Sequence, residues 1–151
     1  MSIKIKKCLT ADKTVHDESY KKDLLIAIAG HINDVQKGCA FIANKLIEAG
    51  INHDYTKIPT VDEYIEECKS GVEINKGEWY QTHINKERHH LNNCSDDVTL
   101  IDVIECLVDC VMAGMARNGH YREGPMDIAI LQKAYLNTAK MLKSEIIIED
   151  D

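Results

Sequence analysis

Histidines and carboxylates are the residues of this chain whose types and spacing best suit chemistry. A His53-Asp54 doublet follows an apolar helical segment, His31 lies upstream of it, and Asp109 lies in the middle of a later apolar segment. Imidazole and carboxylate ligands together suit divalent transition metals, such as manganese, iron, cobalt, nickel or zinc. The sequence therefore predicts a metal site of one or two ions to which these four residues contribute.

Asp109 stands out because its neighbours, from Leu107 to Met112, are otherwise apolar. A carboxylate removed from water without a partner is strongly unfavourable, so Asp109 must be exposed, paired or bound to a cation. Asp102 and Glu105 share its helical face at steps of three and four residues. A solvated acidic stripe on an amphipathic helix is therefore the alternative to a metal ligand.

Three more histidines, His83, His89 and His90, could supply the further nitrogen ligands that a two-metal centre needs. His83 and His90 fall on one face of a predicted helix, but two turns separate them by about 10 Å along its axis. They are thus expected to reach neighbouring ions rather than one ion. His89 points about 100° away from His90, so one of that pair is expected to support a ligand rather than bind metal.

Helical periodicity covers most of the chain, which has only two prolines and eight glycines. The predicted helical segments are 17–49, with a break near Gly38 and an end at Gly50, then 60–68, 78–91, 99–117 and 126–147. Thr60 with Glu63, and Thr99 with Asp102, have the spacing of helix caps. The prediction is an all-α fold: an arm or short strand at 1–16, then one compact domain of five to seven helices at 17–148.

Composition narrows the class of protein. Eighteen basic against twenty-five acidic side chains give a net charge of −7, which disfavours duplex nucleic acid as a partner but permits a small phosphorylated substrate. No apolar run approaches a bilayer span, no signal-peptide pattern follows the first lysines, and the six cysteines form no CxxC pair. A cytoplasmic protein without a membrane partner is expected, and a homo-oligomer is left open.

The residues His31, His53-Asp54 and Asp109 resemble the pattern of the HD-domain superfamily of metal-dependent phosphohydrolases, over about residues 24–117. The segments HDYTK, with Lys57, and HINKERHH, with the three later histidines, are similar to HD-GYP phosphodiesterases and to small HD-like proteins of phage and bacterial genomes. The GYP signature itself is absent, because LNNCSDD follows His90. A phage-encoded chain would work in the host cytoplasm.

This resemblance implies an HD-like helical fold and a nucleotide hydrolase that cleaves a phosphomonoester, phosphodiester or triphosphate bond with a metal-activated hydroxide. It implies a bridging and catalytic role for Asp54, with Lys57 adding positive charge at the phosphoryl group. The alternative for Lys57 is a solvated lysine. The implied metal ligands are His31, His53, Asp54, His83, His89, His90 and Asp109.

Arginines are the expected substrate-binding residues besides Lys57. Arg88 lies beside the histidine pair, and Arg117 and Arg122 flank a loop with a glycine and a tyrosine. Guanidinium groups suit bidentate phosphate binding, although a polar loop contains such residues by chance as well. Two other functions stay open: a catalytically silent module that sequesters a nucleotide on the same metal site, and a helical interaction protein with structural histidines.

Overall fold

The structure is a computed structural model that describes residues 2–6, 21–121 and 127–149. It is mostly helical, so the all-α prediction is confirmed. The chain falls into two compact units, one formed by Met1–Lys45 with Lys140–Asp151 and the other by Leu46–Ala139. The predicted boundaries at 1–16 and 17–148 stay a prediction.

The described residues contain five α-helices and two short strands. In chain order they are β1 (Ile3–Lys6), α1 (Lys21–Asn52), α2 (Val61–Lys69), α3 (Glu78–Lys86), α4 (Leu100–Asn118), α5 (Ile128–Glu145) and β2 (Ile146–Glu149), with 3-10 turns at Ile74–Lys76 and Leu91–Asn93. None of the described helices combines the length and the apolarity that crossing a membrane requires.

Helix α1 runs unbroken through Gly38 and Gly50, so the predicted break and the predicted end are both wrong. A glycine costs a helix only about 1 kcal/mol relative to alanine, which the other residues of a long helix can offset. The helix ends at Asn52, whose side-chain amide donates to the carbonyl of Glu48 at 2.8 Å. His53 therefore follows the helix end directly.

The strands belong to the first unit. β1 and β2 pair in parallel, with Ile3 opposite Ile146 and Lys6 opposite Glu149. The last helix was expected to reach Ile147, but it ends at Glu145. Three consecutive isoleucines follow, and β-branched side chains favour extended backbone once a partner strand is present.

The core of the second unit joins α4 to α5. Val98, Val103 and Ala134 are buried there, and Leu100 packs against them. The backbone N–H of Leu100 also donates to Thr138 Oγ1 on α5 at 2.7 Å. These contacts hold the first turn of α4 in place.

The predicted cap of α4 is confirmed. The backbone N–H of Thr99 donates to Asp102 Oδ2 at 2.6 Å. The same carboxylate, buried in α4, accepts from Arg88 Nε at 2.7 Å and from Nη2 at 2.9 Å. Asp102 therefore caps its own helix and fixes the segment that precedes it.

The helix predicted over 78–91 ends early, at Lys86, and this difference shapes the site. Glu87 adopts extended backbone with φ −86° and ψ 120°. Its buried carboxylate accepts from Thr56 N at 2.9 Å and from Thr56 Oγ1 at 2.6 Å. These bonds, with the Arg88–Asp102 pair, outweigh local helix propensity, and the chain turns back at His89 and His90.

Thr60 does not form the predicted capping box with Glu63. Its hydroxyl donates to the carbonyl of Thr56 at 2.6 Å and accepts from Trp79 Nε1 at 2.7 Å. The side chain thus connects the turn after α1 to α3 and is no longer available to cap α2.

Gly77, which precedes α3, leaves room for a cap that comes from another helix. Glu67 Oε2 on α2 accepts from the backbone N–H of Trp79 at 2.7 Å, and a Cβ atom at position 77 would overlap that carboxylate. We expect Gly77→Ala to displace Glu67 and lower the free energy of unfolding by about 1 kcal/mol, measured by urea denaturation.

Gly38→Ala is the matched control, because a Cβ atom there meets open space within a helix. It should raise the free energy of unfolding by about 0.5–1 kcal/mol. A Gly77→Ala protein as stable as the parent would show that Glu67 does not cap α3.

Candidate metal centre

Four histidine rings cluster in the second unit. His53 comes from the turn after α1, His83 from α3, and His89 with His90 from the segment that turns back. Ring centroids are 4.3 Å apart for His53 and His89, 4.3 Å for His89 and His90, and 4.9 Å for His83 and His90. Residues up to 37 positions apart in sequence thus meet at one place.

The separation of His83 and His90 corrects the prediction made for a straight helix. Their Nε2 atoms lie 3.0 Å apart, rather than two helical turns apart. The end of α3 at Lys86 is the cause, because the following residues fold back over its last turn. One ion could therefore take both nitrogens.

Ligand atoms converge in two overlapping groups. His83, His89 and His90 form one, and His53, His89 and Asp109 form the other; within each, the ligand atoms all lie within 4.8 Å of one another. His89 is common to both. The arrangement has the donor atoms for one or two metal ions.

Asp54 lies between these groups. Its Oδ1 is 3.5 Å from His83 Nε2 and 3.6 Å from His89 Nε2, and its Oδ2 is 3.5 Å from His53 Nε2. Its backbone has φ 57°, in the left-handed region, the sole described non-glycine residue with a positive φ. Aspartate tolerates this conformation better than most residues, and such strain often marks a functional position.

Oδ1 of Asp54 is buried and has no hydrogen-bond partner among the described residues. Buried carboxylate oxygens are normally satisfied, because leaving one unpaired costs free energy. A cation among the surrounding imidazole nitrogens would satisfy it. The residues present therefore fit a bound metal ion.

Lys57 contacts the other oxygen of Asp54. Its Nζ lies 2.5 Å from Asp54 Oδ2, and 44% of its side chain is exposed. Burial favours the neutral carboxyl, but the hydrogen bond and charge of Lys57 outweigh it and lower the pKa of Asp54. Asp54 is thus ionised at neutral pH, as a metal ligand must be.

Burial sets the protonation of three of the rings. It lowers the pKa of His83, His89 and His90 below the ordinary value, with neighbouring positive groups adding to the effect. The pKa of His89 falls to about 4. All three are therefore neutral at pH 7, which leaves ring lone pairs free for a metal.

His53 behaves differently. Burial disfavours its charged form, but the hydrogen bond to Glu105 and the charges of Asp54 and Asp109 together raise its pKa. Asp109 Oδ1 lies 3.6 Å from His53 Nε2. Without an ion, the carboxylates of Glu105, Asp54 and Asp109 stabilise the protonated form of this ring.

Glu105 is a site residue that the sequence analysis assigned only to an acidic stripe. Its Oε1 is hydrogen-bonded to His53 Nδ1 at 2.9 Å and lies 3.4 Å from His89 Nδ1, which is buried without a hydrogen-bond partner among the described residues. A carboxylate on Nδ1 leaves Nε2 to face a metal and raises ligand basicity. The hydroxyl of Thr56 contacts Nδ1 of His83 at 2.8 Å, which likewise leaves Nε2 of that ring to face a metal.

The acidic face of α4 is not a solvated stripe. Asp102 is buried against Arg88, and 11% of the Glu105 side chain is exposed. Asp109 is 34% exposed and faces His53. The signal in the sequence was the one-turn spacing of Glu105 and Asp109, which places both on the face directed at the histidines.

Arg88, which was predicted to bind phosphate, is engaged by carboxylates of the protein itself, and the phosphate-binding role stays a prediction. Its Nε and Nη2 bind the Asp102 carboxylate, Nη1 lies 3.2 Å from Asp97 Oδ2, and Nη2 also donates to the carbonyl of Asp97. All three nitrogens are engaged within the protein, so no free fork faces a substrate.

The other predicted residues belong to neither group of converging ligand atoms or lie outside the described residues. His31 is exposed on α1, nearly six helical turns before Asn52, and belongs to neither group of converging ligand atoms. Arg117 is exposed near the end of α4, and its role stays a prediction. Arg122 lies outside the described residues.

The buried histidines predict how stability of the metal-free protein varies with pH. Their native pKa values lie below 6.5, so between pH 6.5 and about 4 the unfolded state binds more protons. The free energy of unfolding, measured by urea denaturation with a chelator, should therefore fall as pH falls, by about 1–2 kcal/mol for His89. His90→Gln should reduce this slope, and His120→Gln, at an exposed position, should not.

Glu105→Gln tests the orienting carboxylate. The variant keeps the shape of the side chain but loses the negative charge beside Nδ1 of His53, so affinity for a transition metal should drop about 10- to 100-fold. Calorimetric titration with cobalt measures it. Glu63→Gln, exposed on α2, is the matched control and should bind as the parent does. Equal affinity in both variants would contradict the assigned role.

Three comparisons with known proteins, against family models, curated sequences and solved structures, find no match to this chain.

Proposed function

We propose that this chain is a metal-dependent phosphohydrolase acting on nucleotides, as its resemblance to HD-domain proteins implies. The observation that carries the proposal is the buried Oδ1 of Asp54, which lacks a hydrogen-bond partner among the described residues and lies between His83 and His89. A purely structural cluster would be expected to satisfy that oxygen.

The donor set favours a transition metal. Four imidazoles with the carboxylates of Asp54 and Asp109 form a nitrogen-rich site, whereas magnesium and calcium prefer oxygen ligands. We expect one or two ions of manganese, iron, cobalt, nickel or zinc. The two oxygens of Asp54 lie near different histidines, so this carboxylate would be a ligand for either ion if a pair is bound.

A bound ion would lower the pKa of water and so supply a nucleophile near neutral pH. The chain's own residues contribute position and charge. Glu105 is hydrogen-bonded to His53, Thr56 is hydrogen-bonded to His83, and Lys57 carries a positive charge next to Asp54. That ammonium is suited to stabilise negative charge on a phosphoryl oxygen.

Two measurements test the proposal. Metal analysis of the purified protein should find a transition metal in stoichiometric amount, or such binding should appear on adding manganese, cobalt or nickel. A screen of mono-, di-, tri- and cyclic nucleotides with these metals should then detect a released product by chromatography. Asp54→Asn should lower turnover at least 100-fold, and His120→Gln should leave it unchanged.

The outcomes separate the alternatives. Protein that binds no transition metal would overturn the proposal and favour structural histidines. Protein that binds metal and nucleotide without turnover would favour a sequestering module. His31→Gln tests whether His31 is a metal ligand: the family resemblance implies that the variant loses metal, whereas the absence of His31 from both groups of converging ligand atoms favours retention of metal.

A further inference from the structure

A cavity of about 410 Å³ opens beside the metal centre, within the second unit. It lies between the last turns of α1 and the middle of α4. His53, Glu105 and Asp109 line one side, so the cavity is continuous with the histidine cluster. A molecule bound at the cluster would have this space next to it.

The rest of the lining is apolar. Leu46 from α1 and Val108, Met112 and Ala113 from α4 contribute to it. Gly50 also lines it, and a Cβ atom added there would meet nothing within 4 Å. Val108 is 51% and Met112 65% exposed, so the apolar wall is accessible. An apolar wall binds an uncharged ligand group more favourably than a charged one, because a charged group would lose its hydration there.

The ionisable residues that line the cavity also favour an uncharged ligand group. The ionisable groups at the cavity, besides His53, are the carboxylates of Glu105 and Asp109, and its lining contains no lysine or arginine. Lys57 contacts Asp54 at the cluster, and Arg88 is bound by Asp97 and Asp102. A second anionic group placed in the cavity would lie next to these two carboxylates, and the lining offers it no lysine or arginine.

We propose that this cavity holds the uncharged, apolar body of a phosphate ester whose phosphoryl group lies at the histidine cluster. The inference rests on the proposed function and adds the substrate class. An aromatic ring, such as a nucleobase, has the flat apolar surface that Val108, Met112 and Ala113 can contact. Further phosphates have no place in the cavity.

Three phosphonates that the protein cannot hydrolyse test this substrate class. Methylphosphonate offers the charged head alone, phenylphosphonate adds an apolar ring, and 4-carboxyphenylphosphonate adds a charge to that ring. Calorimetric titration of the cobalt-loaded protein should show that phenylphosphonate binds about tenfold more tightly than methylphosphonate, because the ring is buried in the cavity. The carboxylated ring should lose that advantage.

Ala113→Phe fills the cavity and should erase the preference for phenylphosphonate while leaving methylphosphonate binding unchanged. Leu107→Phe is the matched control, because Leu107 is exposed on α4, lies outside the lining and points about 160° away from Asp109 around the helix, and this variant should retain the preference. Equal binding of the two ligands by the parent protein, or a preference retained in Ala113→Phe, would overturn the inference.

The titrations also distinguish failure of this inference from failure of the proposed function. If cobalt and methylphosphonate bind but the ring adds no affinity, the cavity is not the substrate site and the metal site stands. If neither cobalt nor methylphosphonate binds, the proposed function fails and the inference fails with it.

Discussion

Burial of the Asp54 carboxylate is the constraint on which the rest of the site depends. An ionised carboxylate taken from water needs compensating positive charge or hydrogen bonds. Lys57 supplies both to Oδ2, while Oδ1 has only imidazole nitrogens at 3.5–3.6 Å. The surrounding chain accepts a left-handed backbone at this residue to keep the carboxylate there. A divalent cation is the simplest partner that such an environment can stabilise.

The histidine rings are held in part by hydrogen bonds between the residues around them. Glu87 binds Thr56, which contacts His83, and Arg88 binds Asp102 at the start of α4. Glu87 and Arg88 thus bind partners on different elements, and α3 ends just before them, at Lys86. The histidines that follow are positioned by buried polar contacts rather than by a regular helix.

Sequence periodicity predicted the helical class, and residue spacing predicted the Thr99 cap, because both depend on local pattern. Residue type singled out His53, Asp54 and Asp109, which the structure brings close together, and their roles stay predictions. The convergence of His83 with His90 was not predictable in this way. It depends on the Glu87–Thr56 contact, between residues 31 positions apart. Likewise, Arg88 suited phosphate by residue type, and its engagement by Asp102 is a tertiary contact that spacing alone does not reveal.

The Trp79 ring lies 5.4 Å from His83, with an angle of 6° between the ring planes. It is the sole tryptophan of the chain, so its fluorescence has a single origin. Indole emission responds to the charge of a stacked imidazole. The fluorescence of Trp79 would therefore report any ligand that binds to His83, in real time and without an added label.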